Sequence, residues 1–281
     1  QAEDGIRDDL VTGVQTCALP ILGLFRSRRQ VPTLSAERVA LLTMRWCPWW
    51  LGLDHHERQL LIGYTGDLAN SLRWEAAKGF RITDDVRVAV SSHAALLVLG
   101  LDDGLANYAD VTSVIVHAST IVRTGQHHLG DGLYSDAADP LIGEAIHRGP
   151  VVLAWDAVAD QALRPQRGEN VVLHEFAHRL DMLDGLTDGT PPLPDDDALA
   201  RWVDVCTASL ARLRSYEEPS CIRSYATTNP AEFFAVVTEV FFTRPHALLE
   251  EDPNLYGVLR DYYRRDPGRG RDETTVSVVL T

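Results

Sequence analysis

Long apolar runs are missing from this 281-residue chain. The longest, Ala94–Leu99, falls far short of the ~18 consecutive apolar residues that a membrane helix needs, so no membrane association is expected. Cysteine is scarce as well. Cys17, Cys47, Cys206 and Cys221 form no CxxC pair, and their spacing suits neither a zinc ribbon nor a dense disulfide frame. Reduced thiols in a cytoplasmic protein are the expectation. Positive charge is also in short supply: 26 Lys and Arg stand against 40 Asp and Glu, a formal net charge of −14. Such a field repels phosphate backbones, so nucleic acid is not an expected partner. No GxxxxGK[ST] or GxSxG pattern occurs, which argues against nucleotide and serine-hydrolase chemistry. What remains is 45% apolar and 23% charged residues, a composition that supports a substantial globular core.

Residues 11–21 read VTGVQTCALPI, which resembles the in-frame translation of a sequencing-library adapter. Segment 1–21 is therefore read as non-native. It is not read as a secretory signal, because Asp4, Asp8 and Asp9 stand where such a signal carries positive charge. Residues 22–265 are read as one domain and 266–281 as a loose tail.

Within that domain the part at about 35–80 reads as helical. Ser35–Trp49 is one candidate helix, and Asp54 with Glu57 forms a capping-box pattern that opens a second. The alternation Val86, Val88, Val90 predicts a strand within Arg81–Val90, followed by a buried helix over Ser92–Gly100. Val111–Val122 and Pro150–Trp155 carry β-branched runs suited to strands, the second expected at a sheet edge open to an extended peptide. Gly125–Asp139 reads as an exposed loop. Helices are predicted at Asn170–Leu183, around Leu199–Leu213, at Asn229–Phe242 and near Asn254–Arg264, with a loop over Asp184–Asp197. Strands come early and helices late, which favours an α+β fold.

The chemistry concentrates in His174-Glu175-Phe176-Ala177-His178. On a helix, positions i and i+4 share a face, so two imidazoles can reach one zinc ion at ~2.0–2.1 Å. Glu175 falls beside the metal, where a carboxylate can take a proton from the attacking water. Flanking Val171, Val172, Leu173 and Leu180 suit a buried helix, and two histidines on such a helix need partners.

A catalytic zinc site has three protein ligands as a rule. The HExxHxxGxxH continuation is absent, since position 184 is Asp. A later helical glutamate is the usual alternative, and Glu232 and Glu239 share one face of an otherwise apolar segment. Glu232 has a second explanation. Asn229 as N-cap and Pro230 as first helical residue make Glu232 the third position of a capping box. Pattern alone leaves ligand and cap open. Tyr225, read by itself, is a packed surface tyrosine.

VVLHEFAHRLDMLDG at 171–185 and SYATTNPAEFFAVVTEVFF at 224–242, with RGPVVLAWDAV at 148–158, resemble the Mlc titration factor A family. These are bacterial zinc peptidases similar to the catalytic region of anthrax lethal factor. The likeness runs from about Leu22 to Arg265. It implies a zincin fold of gluzincin type: a small sheet, an active-site HExxH helix and a helical C-terminal half. It also implies one Zn²⁺ held by His174, His178 and Glu232, with Glu175 as general base and Tyr225 as a donor to the oxyanion. Asp181 and Glu239 are candidate partners for the ligand histidines. The implied activity is hydrolysis of peptide or protein substrates, an aminopeptidase being one form that such an enzyme takes. Some family members bind and inactivate a glucose-responsive repressor. The alternative expectation is therefore a regulatory protein that sequesters a transcriptional repressor, with zinc mainly structural. The sequence departs from the family in its adapter-like start and in the Ile-Arg-Ser lead into Tyr225.

Adjacent pairs His55-His56 and His127-His128 point apart on any regular element and are read as surface residues. Trp46, Trp49, Trp50, Leu51 and Leu53 are read as a packing cluster.

Overall fold

The computed structural model describes residues 32–77, 79–119, 121–123, 127–128, 134–135, 139–141, 143–145, 149–215 and 219–269. The adapter-like segment and the end of the tail lie outside the described residues. In chain order the elements are α1 (Ala36–Trp46), α2 (His55–Ser71), β1 (Arg73–Ala76), α3 (Asp84–Val98), β2 (Ser113–His117), β3 (Ile121–Arg123), β4 (His127–His128), β5 (Tyr134–Ser135), β6 (Asp139–Leu141), β7 (Gly143–Ala145) and β8 (Val151–Ala154). The remainder is helical: α4 (Trp155–Leu163), α5 (Val171–Asp181), α6 (Asp196–Ser215), α7 (Pro230–Thr243), α8 (Pro245–Glu251) and α9 (Pro253–Tyr263). The architecture is α+β.

The main sheet has the order β1-β2-β8-β7. The first three strands run parallel, and β7 pairs antiparallel with β8 through Gly143↔Leu153 and Ala145↔Val151. Thus β8 is interior, which corrects the expectation of an edge at Val151–Trp155. All four β8 residues are buried, and β7 forms the edge instead. Nothing in Gly143-Glu144-Ala145 has the β-branched or aromatic signature of a strand, so this edge had no local signal. Two further antiparallel pairs, β3 with β6 and β4 with β5, occupy part of the stretch read as a loop. The side chains of His127 and His128 lie outside what the structure describes, whereas His55 and His56 are exposed at the start of α2.

The predicted strand at Arg81–Val90 is also corrected. Asp84–Val98 is one helix, capped by Thr83 Oγ1, which accepts from Val86 N at 3.3 Å. Asp84 and Asp85 in its first turn complement the helix dipole. From Val86 to Val98 every residue is buried, so apolar side chains fall on all faces and the alternation carries no information on period. In α2 both capping-box bonds form: Asp54 Oδ1 accepts from Glu57 N at 2.8 Å, and Glu57 Oε2 accepts from Asp54 N at 2.7 Å. Of the tryptophan cluster, Trp46 is buried and Trp49 ties this region to α7 through Nε1–H donated to Phe242 O at 2.6 Å, whereas Leu51 is exposed. Cys47, Cys206 and Cys221 are free thiols. Among the described residues, no helix is long and apolar enough to cross a membrane.

One hydrophobic core extends from α1 to α9 and encloses α5 and α7, every residue of α5 being buried. The two helices are fastened at one end by the loop after α5. Asp181 Oδ2 accepts from Gly189 N at 3.1 Å, and Gly189 O accepts from Trp202 Nε1 at 3.1 Å. Gly189 itself has φ +80°, and a Cβ there would lie 2.6 Å from Pro230 C, inside the first turn of α7. Only glycine combines that backbone conformation with that approach. Gly189→Ala is expected to lower the unfolding free energy by about 1–2 kcal/mol from the left-handed conformation, with more from the clash. Urea-unfolding midpoints check this, and an unchanged midpoint would mean that the loop does not fasten α7.

Candidate metal centre

The start of α5 is buried, so its free N–H groups need protein partners. Asn170 is the N-cap, its Oδ1 accepting from Leu173 N at 3.0 Å. Val171 N donates to Gln161 Oε1 at 2.6 Å, and Asn170 N donates to Glu239 Oε2 at 2.6 Å. The helix is thereby fixed in position and rotation before its histidines are considered. His174 and His178 leave the same face, with ring centroids 4.8 Å apart and their Nε2 atoms 3.2 Å apart.

Helix α7 brings the carboxylate. Asn229 Oδ1 accepts from Glu232 N at 2.9 Å, and Pro230 occupies the first turn, where its missing N–H costs nothing. The Glu232 side chain does not return to its cap. Its Oε2 lies 3.0 Å from His174 Nε2, and its Oε1 lies 3.6 Å from His178 Nε2. One ligand atom from each of His174, His178 and Glu232 falls within 4.8 Å of the others. The capping pattern and the ligand pattern are compatible, because one uses the backbone of Glu232 and the other its side chain.

Glu239 lies deeper and is 1% exposed. Its Oε1 accepts from His174 Nδ1 at 2.8 Å, so the Nδ1 proton is committed and Nε2 faces the Glu232 carboxylate. The carboxylates on both sides of the ring favour positive charge here, carried by a proton on Nε2 or by a metal ion that takes the proton's place. Burial alone would lower the basicity of His174, yet Glu232, Glu239 and Glu175 override it and raise its pKa to about 10. Burial likewise opposes ionisation of Glu232, but His174 and His178 hold its carboxyl well below the usual carboxylate range. Two histidines and a carboxylate in these relations fit a divalent metal of the zinc class.

Asp181, a candidate partner for a ligand histidine, interacts with His178 through its charge and without a hydrogen bond to it among the described residues. It is buried at the end of α5, accepts from Gly189 N, and is raised by burial to about 6. His178 Nδ1 has no hydrogen-bond partner among the described residues.

Glu175 is 4% exposed. Edge strand β7 crosses it closely: a Cβ at Gly143 would lie 2.8 Å from Glu175 Cδ and 2.6 Å from Val171 Cγ2. Tyr225 is half-exposed in the short helical turn Ser224–Thr227, its ring centroid 6.1 Å from that of His174. Burial, then the charges of Glu232 and Glu175, push its phenol well above its ordinary value, so it remains a proton-bearing donor.

Three participants escaped the sequence reading. Gly143 carries no motif. Asn170 was legible as a helix start, but not as a donor to Glu239. Arg223 was noted only as an oddity before Tyr225, yet its Nη2 donates to Glu239 Oε1 and its guanidinium lies 5.8 Å from the Tyr225 ring centroid.

Residues 25–264 match the model of the glucose-regulated metallopeptidase M90 family. The chain belongs to this family. An uncharacterized protein from Synechocystis sp. is 34% identical over 225 residues, covering 78% of this chain and 81% of the relative. Mlc titration factor A of Serratia proteamaculans is 30% identical over 221 residues, covering 76% and 82%. Its counterpart from Edwardsiella ictaluri is 29% identical over 226 residues, covering 78% and 85%. The expected kinship with Mlc titration factor A is thereby established, and M90 membership brings a metallopeptidase-type hydrolase and a metal with it.

The polar support of the centre extends to His93, which is buried in α3. One ring nitrogen, Nε2, lies 2.8 Å from Trp46 O, and Asn170 Nδ2 lies 3.1 Å from Nδ1. These distances assign the proton to Nε2. Burial lowers this imidazole from 6.5 to about 4, the two hydrogen bonds offsetting part of the effect. Between those values the unfolded chain binds the proton and the folded one does not, so stability rises with pH across the window. With chelator present, acidification from pH 6.5 to 4 is expected to cost the wild type about 3 kcal/mol more than His93→Gln. Asp181 titrates in the opposite sense in both proteins and cancels in the difference. Equal pH slopes in urea titrations would refute the assignment.

Proposed function

We propose that this chain is a zinc-dependent peptidase of zincin, gluzincin-type fold. Its metal ligands are His174, His178 and Glu232, with Glu175 as general base and acid and Tyr225 as oxyanion donor. The observation that carries the reading is the convergence of two imidazole Nε2 atoms and one carboxylate from a separate helix, with a ligand atom of each within 4.8 Å of the others. Zinc, when bound, supplies Lewis acidity toward a peptide carbonyl and toward water.

The chain's own groups do the rest. Glu175 takes a proton from the attacking water and returns it to the leaving amine; its burial beneath β7 keeps bulk water from competing. Tyr225 donates its phenolic O–H to the oxygen on which charge develops, a contribution of ~2.7–4 kcal/mol for donors of this kind. Glu239 fixes the tautomer of His174 and increases its strength as a ligand. An extended substrate backbone is proposed to run along the edge strand β7.

Glu175→Gln is expected to lower kcat/KM at least ~100-fold while leaving zinc bound, because general acid–base catalysis is lost and the ligands remain. Glu232→Ala is expected to lose zinc under mild chelation. Peptide hydrolysis assays together with metal analysis check both. Full turnover by Glu175→Gln would remove the mechanism, and wild-type zinc content in Glu232→Ala would remove the ligand set.

A second reading draws on the name of the relatives. Mlc titration factor A implies a titrated partner, and this chain would then sequester a transcriptional repressor around a structural zinc. The presence of Glu175 and Tyr225 at the centre favours the enzyme, because capture of a partner needs neither. Zinc binding without cleavage of any peptide, combined with capture of a purified repressor, would favour the second reading.

A further inference from the structure

We propose that Arg223 is a positioning residue that couples the support of His174 to the placement of Tyr225. The inference rests on the reading of His174 as a metal ligand and Tyr225 as a donor.

The starting point is the load on Glu239. Its carboxylate is almost wholly buried in a helix whose neighbours are Phe233, Phe234, Phe241 and Phe242. A buried carboxylate is tolerable only when its lone pairs are taken up by donors, preferably charged ones. Oε2 takes Asn170 N, and Oε1 takes His174 Nδ1 and Arg223 Nη2. Among the described residues, Arg223 supplies the arginine or lysine charge that touches Glu239. Without it, the carboxylate that aligns His174 keeps its charge uncompensated or swings toward another donor.

The same guanidinium has a second contact. It lies over the ring of Tyr225, 5.8 Å from the centroid, and Nη1 is 3.8 Å from Glu169 Oε1. Arg223 is the N-cap residue of the Ser224–Thr227 turn, so one residue, Ser224, separates its backbone from that of Tyr225. One planar cation therefore meets Glu239 through Nη2 and stands over the ring of Tyr225. Lysine offers a point charge without the fork or the flat face, so it can replace only part of this function. The arrangement links the α7 carboxylate that accepts from His174 Nδ1 to Tyr225.

The test uses the full chain with Arg223→Met, Arg223→Lys, Glu239→Gln and the Arg223→Met/Glu239→Gln double variant. Zinc affinity is measured by chelator competition, and kcat and KM are measured on a peptide at saturating zinc. Urea midpoints verify folding. Arg223→Met is expected to weaken zinc binding by roughly 10- to 100-fold, and at saturating zinc to lower kcat more than it raises KM. Arg223→Lys is expected to fall between Met and wild type in affinity. In the Glu239→Gln background, Arg223→Met is expected to cost little further affinity, because the two side chains act through one contact. A general loss of packing would instead give additive losses. Zinc affinity of Arg223→Met within twofold of wild type, or additive losses in the cycle, overturns the proposal and leaves the metal-centre reading intact. If Arg223→Met does not fold, the Arg223→Lys/Glu239→Gln cycle decides on the same criterion. A wild-type chain that binds no zinc overturns both.

Discussion

The structure is organised around the need to satisfy a group of charges that water scarcely reaches. His174, His178, Glu175 and Glu239 are all buried, and Glu232 is nearly so. Removing such groups from water costs several kcal/mol per ion unless partners replace the lost hydration. Each has been given a partner by the fold: Glu239 by a backbone amide, an imidazole and a guanidinium, and His174 by two carboxylates. The face between the two Nε2 atoms and Glu232 is where partnership among protein atoms is incomplete. That deficit is what makes the cluster fit a cation rather than a self-sufficient buried network.

The surrounding elements supply rigidity where the cluster needs it. Helix α5 is held at its start by Asn170, Gln161 and Glu239, and at its end by the bond from Gly189 to Asp181. Gly189 also lies against the first turn of α7, so the loop after α5 touches the start of the helix that carries Glu232. On the other side, β7 passes over Glu175 at a glycine. His93 and Asn170 extend the polar support into α3 and ultimately to the carbonyl of Trp46. The charged centre and the apolar core are therefore interdependent: the core excludes water, and the hydrogen bonds fix the only geometry in which exclusion is tolerable.

Membership of the M90 metallopeptidase family agrees with this arrangement without specifying what it acts on. On the reading proposed above, Glu175 and Tyr225 serve peptide-bond hydrolysis and take no part in the capture of a partner.

The sequence by itself determined what depends on neighbours within one or two helical turns. His174 and His178 share a face because helical geometry puts i and i+4 there, and the caps at Asp54 and Asn229 were legible for the same reason. Local pattern failed where burial is complete on every side, as in α3, whose Val86, Val88 and Val90 alternation suits a strand and a fully buried helix equally. It failed again at Gly143–Ala145, where edge pairing rather than propensity makes the strand. Tertiary structure alone decided the division of labour between Glu232 and Glu239. They occupy one face of one helix, and only the packing of α7 against α5 sets the first against two Nε2 atoms and the second behind Nδ1. Arg223 belongs to the same class, because a contact across sixteen residues of chain and two separate elements leaves no periodic trace in the sequence.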